Sequence, residues 1–239
     1  MHKNPKLHLL TLKNHDIQDQ LLLEEALLRT TDKNWCILNH GSPPRIVMGI
    51  SGKPHDLINM SKIAEDPIPL IKRYSGGGTV IVDANTLFVS FIFQKDIHAF
   101  SCYPEPILRW SEEFYQEALP IPNFELREND YVIGEKKCGG NAQYIKKNRF
   151  VHHTTFLWDY TSSKMDYLLH PKKTPEYRSG RSHDTFLCRM KDHLPSEKAF
   201  FSGIHTTLTN HYLVETISYE SLLPLLAGTH RKTTTQITL

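Results

Sequence analysis

The sequence predicts an α+β fold of mixed and antiparallel β-sheets packed with helices. Three observations predict it: β-branched and aromatic runs broken by turn chemistry, a few amphipathic stretches at helical spacing, and the lack of a regular βαβ alternation. At 239 residues, 39% hydrophobic and 23% charged, the chain can bury one large core. With no repeat, low-complexity linker or composition break, residues 1–239 read as a single domain.

The elements follow in order. DIQDQLLLEEALLRT (16–30) predicts the first helix, with Asp16 as N-cap and Ile17, Leu21 and Leu28 at helical spacing. WCILN (35–39) and RIVMGI (45–50) predict strands, separated by the turn residues of HGSPP. DLINMSKIAEDP (56–67) predicts a short helix ended by Pro67, and residues 71–93 predict a β-meander interrupted by three glycines and by Asp83-Ala84-Asn85. PEPILRWSEEFYQEAL (104–119) predicts a helix that starts near Pro104 or Pro106 and puts Ile107, Phe114 and Ala118 on one side. FELRE, DYVIG, KKCGG, NAQYIK and RFVHHTTFLWDY then predict strands joined by short polar turns. MDYLLH, SEKAFFSGIHTTLTNHY and YESLLPLLAG predict helices, and LVETIS a strand.

Charge and cysteine usage exclude several functions. Lys+Arg 28 against Asp+Glu 26 leaves a net charge of +2, too balanced for an electrostatic grip on nucleic acid or an anionic membrane, so any anion site must be local. No apolar run spans a bilayer and MHKNPKLHLL has no secretory-signal pattern; the expectation is a cytoplasmic protein with neither nucleic acid nor membrane as partner. Cys36, Cys102, Cys138 and Cys188 form no CxxC pair, and fourteen histidines form no HExxH or HxxxH pattern.

Three segments carry candidate chemistry. RYSGGGTV (73–80) is either a glycine turn or an anion cradle, in which bare N–H groups of Gly76, Gly77 and Gly78 meet a phosphate or carboxylate, Arg73 grips it bidentately and Ser75 donates a hydroxyl. It matches neither GxxxxGK[ST] nor GxGxxG. In GEKKCGGNAQ (134–143), strand alternation puts Lys136 and Lys137 on opposite faces, so one of them can point at a site, and Cys138 reads as a small buried apolar residue. The lysines also fit a solvated strand edge. In RFVHHTTFLWDY (149–160), His152 and His153 alternate, and each taken singly reads as a hydrogen-bonded core residue.

Taken together and in this order, RxSGGGxV, a basic GxKK..GNAQ and HHxTxL resemble the catalytic domain of the lipoate-protein ligase family, related in fold to biotin-protein ligases and octanoyl transferases. The likeness runs from EEALL through FLWDY, and LLHPKKTPEYRSGRSH (168–183) resembles the segment that follows in some members. The resemblance implies ATP and Mg²⁺ as cofactors, lipoate or octanoate as substrate, and an acyl-adenylate handed to a lysine of a lipoyl domain, in a 2-oxoacid dehydrogenase subunit or glycine cleavage H protein. Counting back from Gly140-Asn141-Ala142-Gln143, it assigns the catalytic lysine to Lys137 rather than Lys136. It implies a pocket lined by Arg73, Ser75, Gly76, Gly77, Gly78, Thr79, Val80, Gly140, Asn141, Ala142, His153 and Thr155, with Asn129 and Asp130 positioning nucleotide or, through Asp130, metal.

Some features depart from that pattern. Val82-Asp83 stands where the family often has His-Asp, and Thr154 replaces a glycine, which predicts a narrower pocket floor. SYESLLPLLAGTHRKTTTQITL is too short for the usual accessory domain, so a separate accessory protein, or weak adenylation, or ATP-independent octanoyl or lipoyl transfer comes into play. Transfer would need a cysteine nucleophile, for which Cys188 is the nearby candidate without the family context. An acyl-binding or lipoyl-domain-binding homologue without chemistry is the remaining alternative.

Overall fold

The computed structural model describes residues 4–170 and 174–238. The chain opens with β1 (Lys6–Lys13), crosses through α1 (Ile17–Thr30) and returns as β2 (Trp35–His40), parallel to β1. Next come β3 (Arg45–Met48), the short helices α2 (Pro54–Leu57) and α3 (Met60–Glu65), and β4 (Leu70–Lys72). A glycine loop leads to β5 (Val80–Val82), β6 (Thr86–Gln94) and α4 (Pro104–Ala118). Four antiparallel strands follow: β7 (Phe124–Arg127), β8 (Asp130–Ile133), β9 (Lys136–Ile145) and β10 (Arg149–Leu157). The rest holds α5 (Ser162–Met165), α6 (His183–Phe186), α7 (Glu197–His211), β11 (Leu213–Thr216), α8 (Leu223–Ala227) and β12 (Thr235–Ile237).

Two sheets result. The larger has the order β11-β1-β2-β6-β10-β9-β8-β7 and the smaller β12-β4-β3-β5. In β6, Leu87, Val89, Phe91 and Phe93 enter the core built with α4 and α7, while Phe88 and Ile92 enter the core built with α1 and the small sheet. Burial on both faces is why this strand reads as a near-continuous apolar run rather than an alternating one. As its position before the apolar stripe requires, Asp16 caps α1 by accepting from the Gln18 N–H, and Pro104 opens α4, where a missing N–H costs nothing.

Several elements differ from the sequence-based expectation, each through tertiary pairing. Residues 71–93 are not a meander: β4 lies parallel to β3, β5 antiparallel to β3, and β6 belongs to the other sheet. KKCGG and NAQYIK are one strand, β9. Residues 56–67 break at Asn59, whose side chain caps α3 and whose N–H donates to the Tyr167 carbonyl. That pairing, with the Ile58–Leu168 bridge, also takes most of MDYLLH out of helix. YESLLPLLAG forms a short 3₁₀ turn and then α8. β1 and β12 were not anticipated; β1 buries Leu7 and Leu9 on one side and Leu10 and Leu12 on the other, which erases the period-2 signal.

His152, on the α4 side of β10, has no exposure. Gln143 Nε2 lies 3.2 Å from its Nδ1, and Thr154 Oγ1 and Tyr131 OH lie 3.3 and 3.4 Å from its Nε2. An amide N–H can only donate, so Nδ1 accepts and the neutral ring keeps its proton on Nε2. Burial first, and then the charge of His153, push its pKa down to about 3. In the unfolded chain an imidazole titrates near 6.5, so below that pH the unfolded state takes a proton that the folded state refuses. This contribution is therefore complete above about pH 6.5 and is lost on acidification, by at most about 1.4 kcal/mol per pH unit. Urea unfolding at pH 7.5 and 5.5 should show a smaller acid-induced loss of stability for His152→Gln than for the wild type; equal losses would refute the assignment.

Candidate active site

The site forms on the α1 side of the large sheet, and a bulge in β9 decides which lysine reaches it. Across β8, Tyr131 pairs with Gly139 and Val132 with Lys137, leaving Cys138 as an extra residue. Cys138 is buried in the aromatic core, and a Cβ on Gly139 would meet Phe156 at 2.8 Å, so both face α4 and α7. Lys137 thus falls on the same face as Gly140: its Nζ lies 3.2 Å from where a Gly140 Cβ would sit. Simple alternation, without the bulge, would have put Lys137 with Gly139 on the core face. Lys136 is exposed.

Asp130 holds the Lys137 ammonium at 2.8 Å through Oδ1, and its Oδ2 accepts from the Tyr177 hydroxyl at 2.9 Å. Burial, then the Asp130 charge, raises the Tyr177 phenol, which keeps it a donor at neutral pH. Thr155 lies beside the pair, opposite Gly140 in the β9–β10 ladder. Asn129 is exposed on the turn before β8; its carbonyl accepts from Asn141 Nδ2 at 3.1 Å. Asn141 Oδ1 in turn accepts from the fully buried Thr154 hydroxyl, so the Asn141 side chain braces the turn from the α4 face while its backbone lines the site. Thr154 faces that way too, and does not narrow the pocket floor as its replacement of a glycine predicts.

The glycine loop closes over β9. Arg73 is 5% exposed, and its guanidinium points beneath the loop, donating to the carbonyls of Gly76 at 2.7 Å, Gly78 at 2.9 Å and, more weakly, Val47 at 3.4 Å. Burial pulls its pKa down to about 10, against the charges of Tyr74 and Glu24, so it remains a cation at neutral pH. The arginine expected to grip an anion is here committed to shaping the loop. Gly77 has φ +103, and a Cβ on it would meet Arg73 Nη2 at 2.6 Å and the Asn141 carbonyl at 3.4 Å. Its carbonyl in turn lies 2.2 Å from where a Gly49 Cβ would sit, a close approach that makes Gly49 part of the same cradle. Gly76 and Gly78 face open space, Ser75 is buried, Val80 pairs with Val47, and the Thr79 hydroxyl is buried without a protein partner.

Further along β10, His153 stands opposite Ala142 and reaches α1. Its Nδ1 lies 2.9 Å from Glu24 Oε1 and 2.8 Å from Ser90 Oγ. Glu24 has no exposure; burial alone would raise its pKa, but the His153 charge and the hydrogen bonds of His153, Ser90 and Gln20 outweigh it and leave the carboxyl lowered. Gln20 extends the network to Asn39. The sequence reading missed Glu24 as a site residue, although an acid one turn beyond Leu21 on an apolar stripe was a usable signal. It also missed Tyr177, Arg178 and His183, which bring segment 174–189 over Lys137. Burial, then the charges of Arg178 and His170, push His183 down to about 4 against the opposing charge of Asp184. Pro171, Lys172 and Lys173 of the same stretch lie outside the described residues.

Residues 16–210 match the family model of the lipoyl protein ligase A/B catalytic domain. The inactive lipoate–protein ligase 2 of Plasmodium falciparum is 31% identical over 255 aligned residues, covering 79% of this chain and 65% of its own length. The lipoate-protein ligase LplJ of Bacillus subtilis is 31% identical over 159 residues, covering 63% and 46%. The chain thus matches from under half to about two-thirds of the length of these relatives. An ATP-bound lipoate-protein ligase A superposes with TM-score 0.74 at 18% identity, covering 94% of this chain and 93% of that one. The bipartite lipoate protein ligase of Thermoplasma acidophilum, described with its E2 lipoyl domain, gives 0.75 at 18%, covering 95% and 91%. These two likenesses are of fold, and they bear out the expected ligase-type α+β architecture. Among the described residues no helix is long and apolar enough to cross a membrane.

The cradle makes two neighbouring glycines respond differently. Gly77→Ala places a methyl against Arg73 in a backbone conformation that alanine resists, and should destabilise the chain by about 1–3 kcal/mol in urea unfolding. Gly78→Ala, with open space at its Cβ position, should change stability by less than about 0.5 kcal/mol. Equal effects would show that the loop does not pack as described.

Proposed function

This chain belongs to the lipoyl protein ligase A/B catalytic-domain family, and from that premise we propose that it is an ATP-dependent lipoate-protein ligase. It would activate lipoate or octanoate as the acyl-adenylate and transfer the acyl group to a lysine of a lipoyl domain. The observation that carries this reading is Lys137, turned by the bulge onto the face that the glycine loop covers and held there by Asp130.

In the first half-reaction the acyl carboxylate attacks the α-phosphorus of ATP and pyrophosphate leaves. Lys137 supplies a fixed ammonium where phosphate charge builds, and loop N–H groups supply further donors at no reorganisation cost. In the second, the acceptor lysine amine attacks the acyl carbonyl and AMP leaves; the same ammonium stabilises the tetrahedral oxyanion. Asp130, steadied by Tyr177, keeps the Lys137 side chain aimed between the two steps. Gly76, Gly78, Thr79, Gly140, Ala142, His153 and Thr155 are proposed as the lining. Arg73, Gly77 and Asn141 are proposed to act through the backbone that they shape.

Both Asp130 oxygens are engaged, and among the described residues no three His, Cys, Asp or Glu side chains converge to hold a metal. A resident metal site does not fit this arrangement, so magnesium enters the proposal as the companion of the ATP phosphates. The bipartite archaeal ligase supports a lipoyl-domain acceptor, here of a 2-oxoacid dehydrogenase subunit or glycine cleavage H protein, and a separate accessory protein. The similarity to an inactive ligase favours a second reading, a binding homologue without turnover.

A paired incubation separates these readings. An apo lipoyl domain is mixed with the chain and either ATP, Mg²⁺ and lipoate, or octanoyl carrier protein, and weighed by mass spectrometry. Acylation with ATP alone supports the ligase, acylation from the carrier alone supports a transferase, and none supports the binding homologue. In the ligase case, Lys137→Ala should lower acyl-AMP formation by about 10²–10³-fold while Lys136→Ala stays within about twofold. The reverse order would refute the assignment of Lys137.

A further inference from the structure

Two thiols flank the lysine that the site is built around, and the ladder places them face to face. Beyond Gly139, where the pairing of β10 ends, Leu187 takes over as the neighbour of β9: it bridges Lys137 in parallel register, and the Cys188 N–H donates to the Lys137 carbonyl at 2.9 Å. The next opposed pair in that register is Cys138 with Cys188. Both pack on the same aromatic core, Cys138 as a member and Cys188 as a partly buried neighbour. Adjacent strands run about 4.8 Å apart, within the Cα separation of about 4.4–6.8 Å that a disulfide spans. Cys36 and Cys102 are buried on other strands and loops, and all four thiols are free.

We propose that Cys138 and Cys188 form a dithiol modification site, which a hydroperoxide oxidises to a disulfide that locks the bulge under Lys137 to segment 174–194. Cys188 is the partly exposed member and Cys138 has no exposure, so the oxidant meets Cys188 first. The acidity of the two thiols points the same way. The neighbouring Cys138 thiol lowers Cys188 despite its burial, whereas burial raises Cys138; in the reduced state the Cys138 thiol donates to the Tyr131 carbonyl at 3.4 Å and the Cys188 thiol to the Lys136 carbonyl at 3.5 Å. The Cys188 thiolate attacks an oxygen of hydrogen peroxide; an S–O bond forms, the O–O bond breaks, and a sulfenic acid and hydroxide result, the hydroxide becoming water with the proton that Cys188 released on ionising. Cys138 sulfur then attacks Cys188 sulfur; the S–S bond forms, the S–O bond breaks, and the departing hydroxide takes the Cys138 proton to leave as water. Two thiols lose two electrons and one peroxide becomes two waters.

The bulge residue is itself one end of this bond, so oxidation restrains the backbone that aims Lys137. The consequence for turnover rests on the ligase reading; the disulfide does not.

The test treats the full chain with stoichiometric hydrogen peroxide, then maps peptides after alkylation without reductant. Two of the four thiols should become unreactive, with a Cys138–Cys188 cross-linked peptide that dithiothreitol removes. Cys188→Ser should abolish the cross-link. Cys138→Ala should leave a dimedone-reactive sulfenic acid on Cys188, an independent reading should one variant fold poorly. Acyl-AMP formation should fall at least fivefold on oxidation and recover with dithiothreitol, with no peroxide response in Cys188→Ser. Absence of the cross-linked peptide overturns the site, and a cross-link that leaves turnover unchanged overturns the lock. A chain that makes no acyl-AMP in either state defeats the ligase reading alone, while the peptide map still decides the thiol pair.

Discussion

The arrangement of this molecule depends on one extra residue in one strand. In an unbroken ladder β9 would send Lys137 into the aromatic core beneath α4, where an ammonium without a partner is prohibitively costly. The bulge at Cys138 removes that conflict by putting two successive residues, Cys138 and Gly139, on the core face, so that the lysine and Gly140 share the other. A side chain at Gly140 would press on the lysine, whose nitrogen lies 3.2 Å from the Cβ position, and shift its aim by a few tenths of an ångström. Asp130 and Tyr177 complete the holder from a neighbouring strand and from a segment almost fifty residues further on.

A buried charge performs a matching task in the glycine loop. Removing a guanidinium from water costs several kcal/mol, and Arg73 offsets this by donating to loop carbonyls that would otherwise be turned inward unsatisfied. The result is a glycine loop whose carbonyls are drawn down onto the arginine, leaving the positions of Gly76 and Gly78 open on the other side. The donors of this buried cation are taken up by its own loop. Glu24, His153 and Ser90 form a comparable unit where β6 and β10 meet α1. Full burial of a carboxylate is tolerated there because every neighbour in reach is a donor.

Much of the fold was legible from local pattern. The N-cap at Asp16, the proline opening of α4 and the long helix after Ser196 depend on interactions within one or two turns, and each formed where the pattern placed it. What failed were elements defined by a distant partner. Residues 71–93 look like hairpins because the strands are short and the turns polar, but β4 pairs in parallel with β3 and β6 leaves for the other sheet. The stretch 165–170 has helical composition, yet its backbone is taken by Leu57 and Asn59.

For the candidate site, the residue types and their order along the chain were enough to single out the glycine loop, the lysine pair and the histidine strand, because glycines and lysines so placed conflict with ordinary packing. Sequence alone also required that Lys136 and Lys137 point apart, since successive side chains in a strand do. Which face each received was decided by the register between β8 and β9, and whether Arg73 met a ligand or its own loop was decided by the carbonyls that folding brought beneath it. Local chemistry is written in neighbouring residues. The direction in which a side chain points depends on pairing between strands remote in sequence, and only the folded chain contains that information.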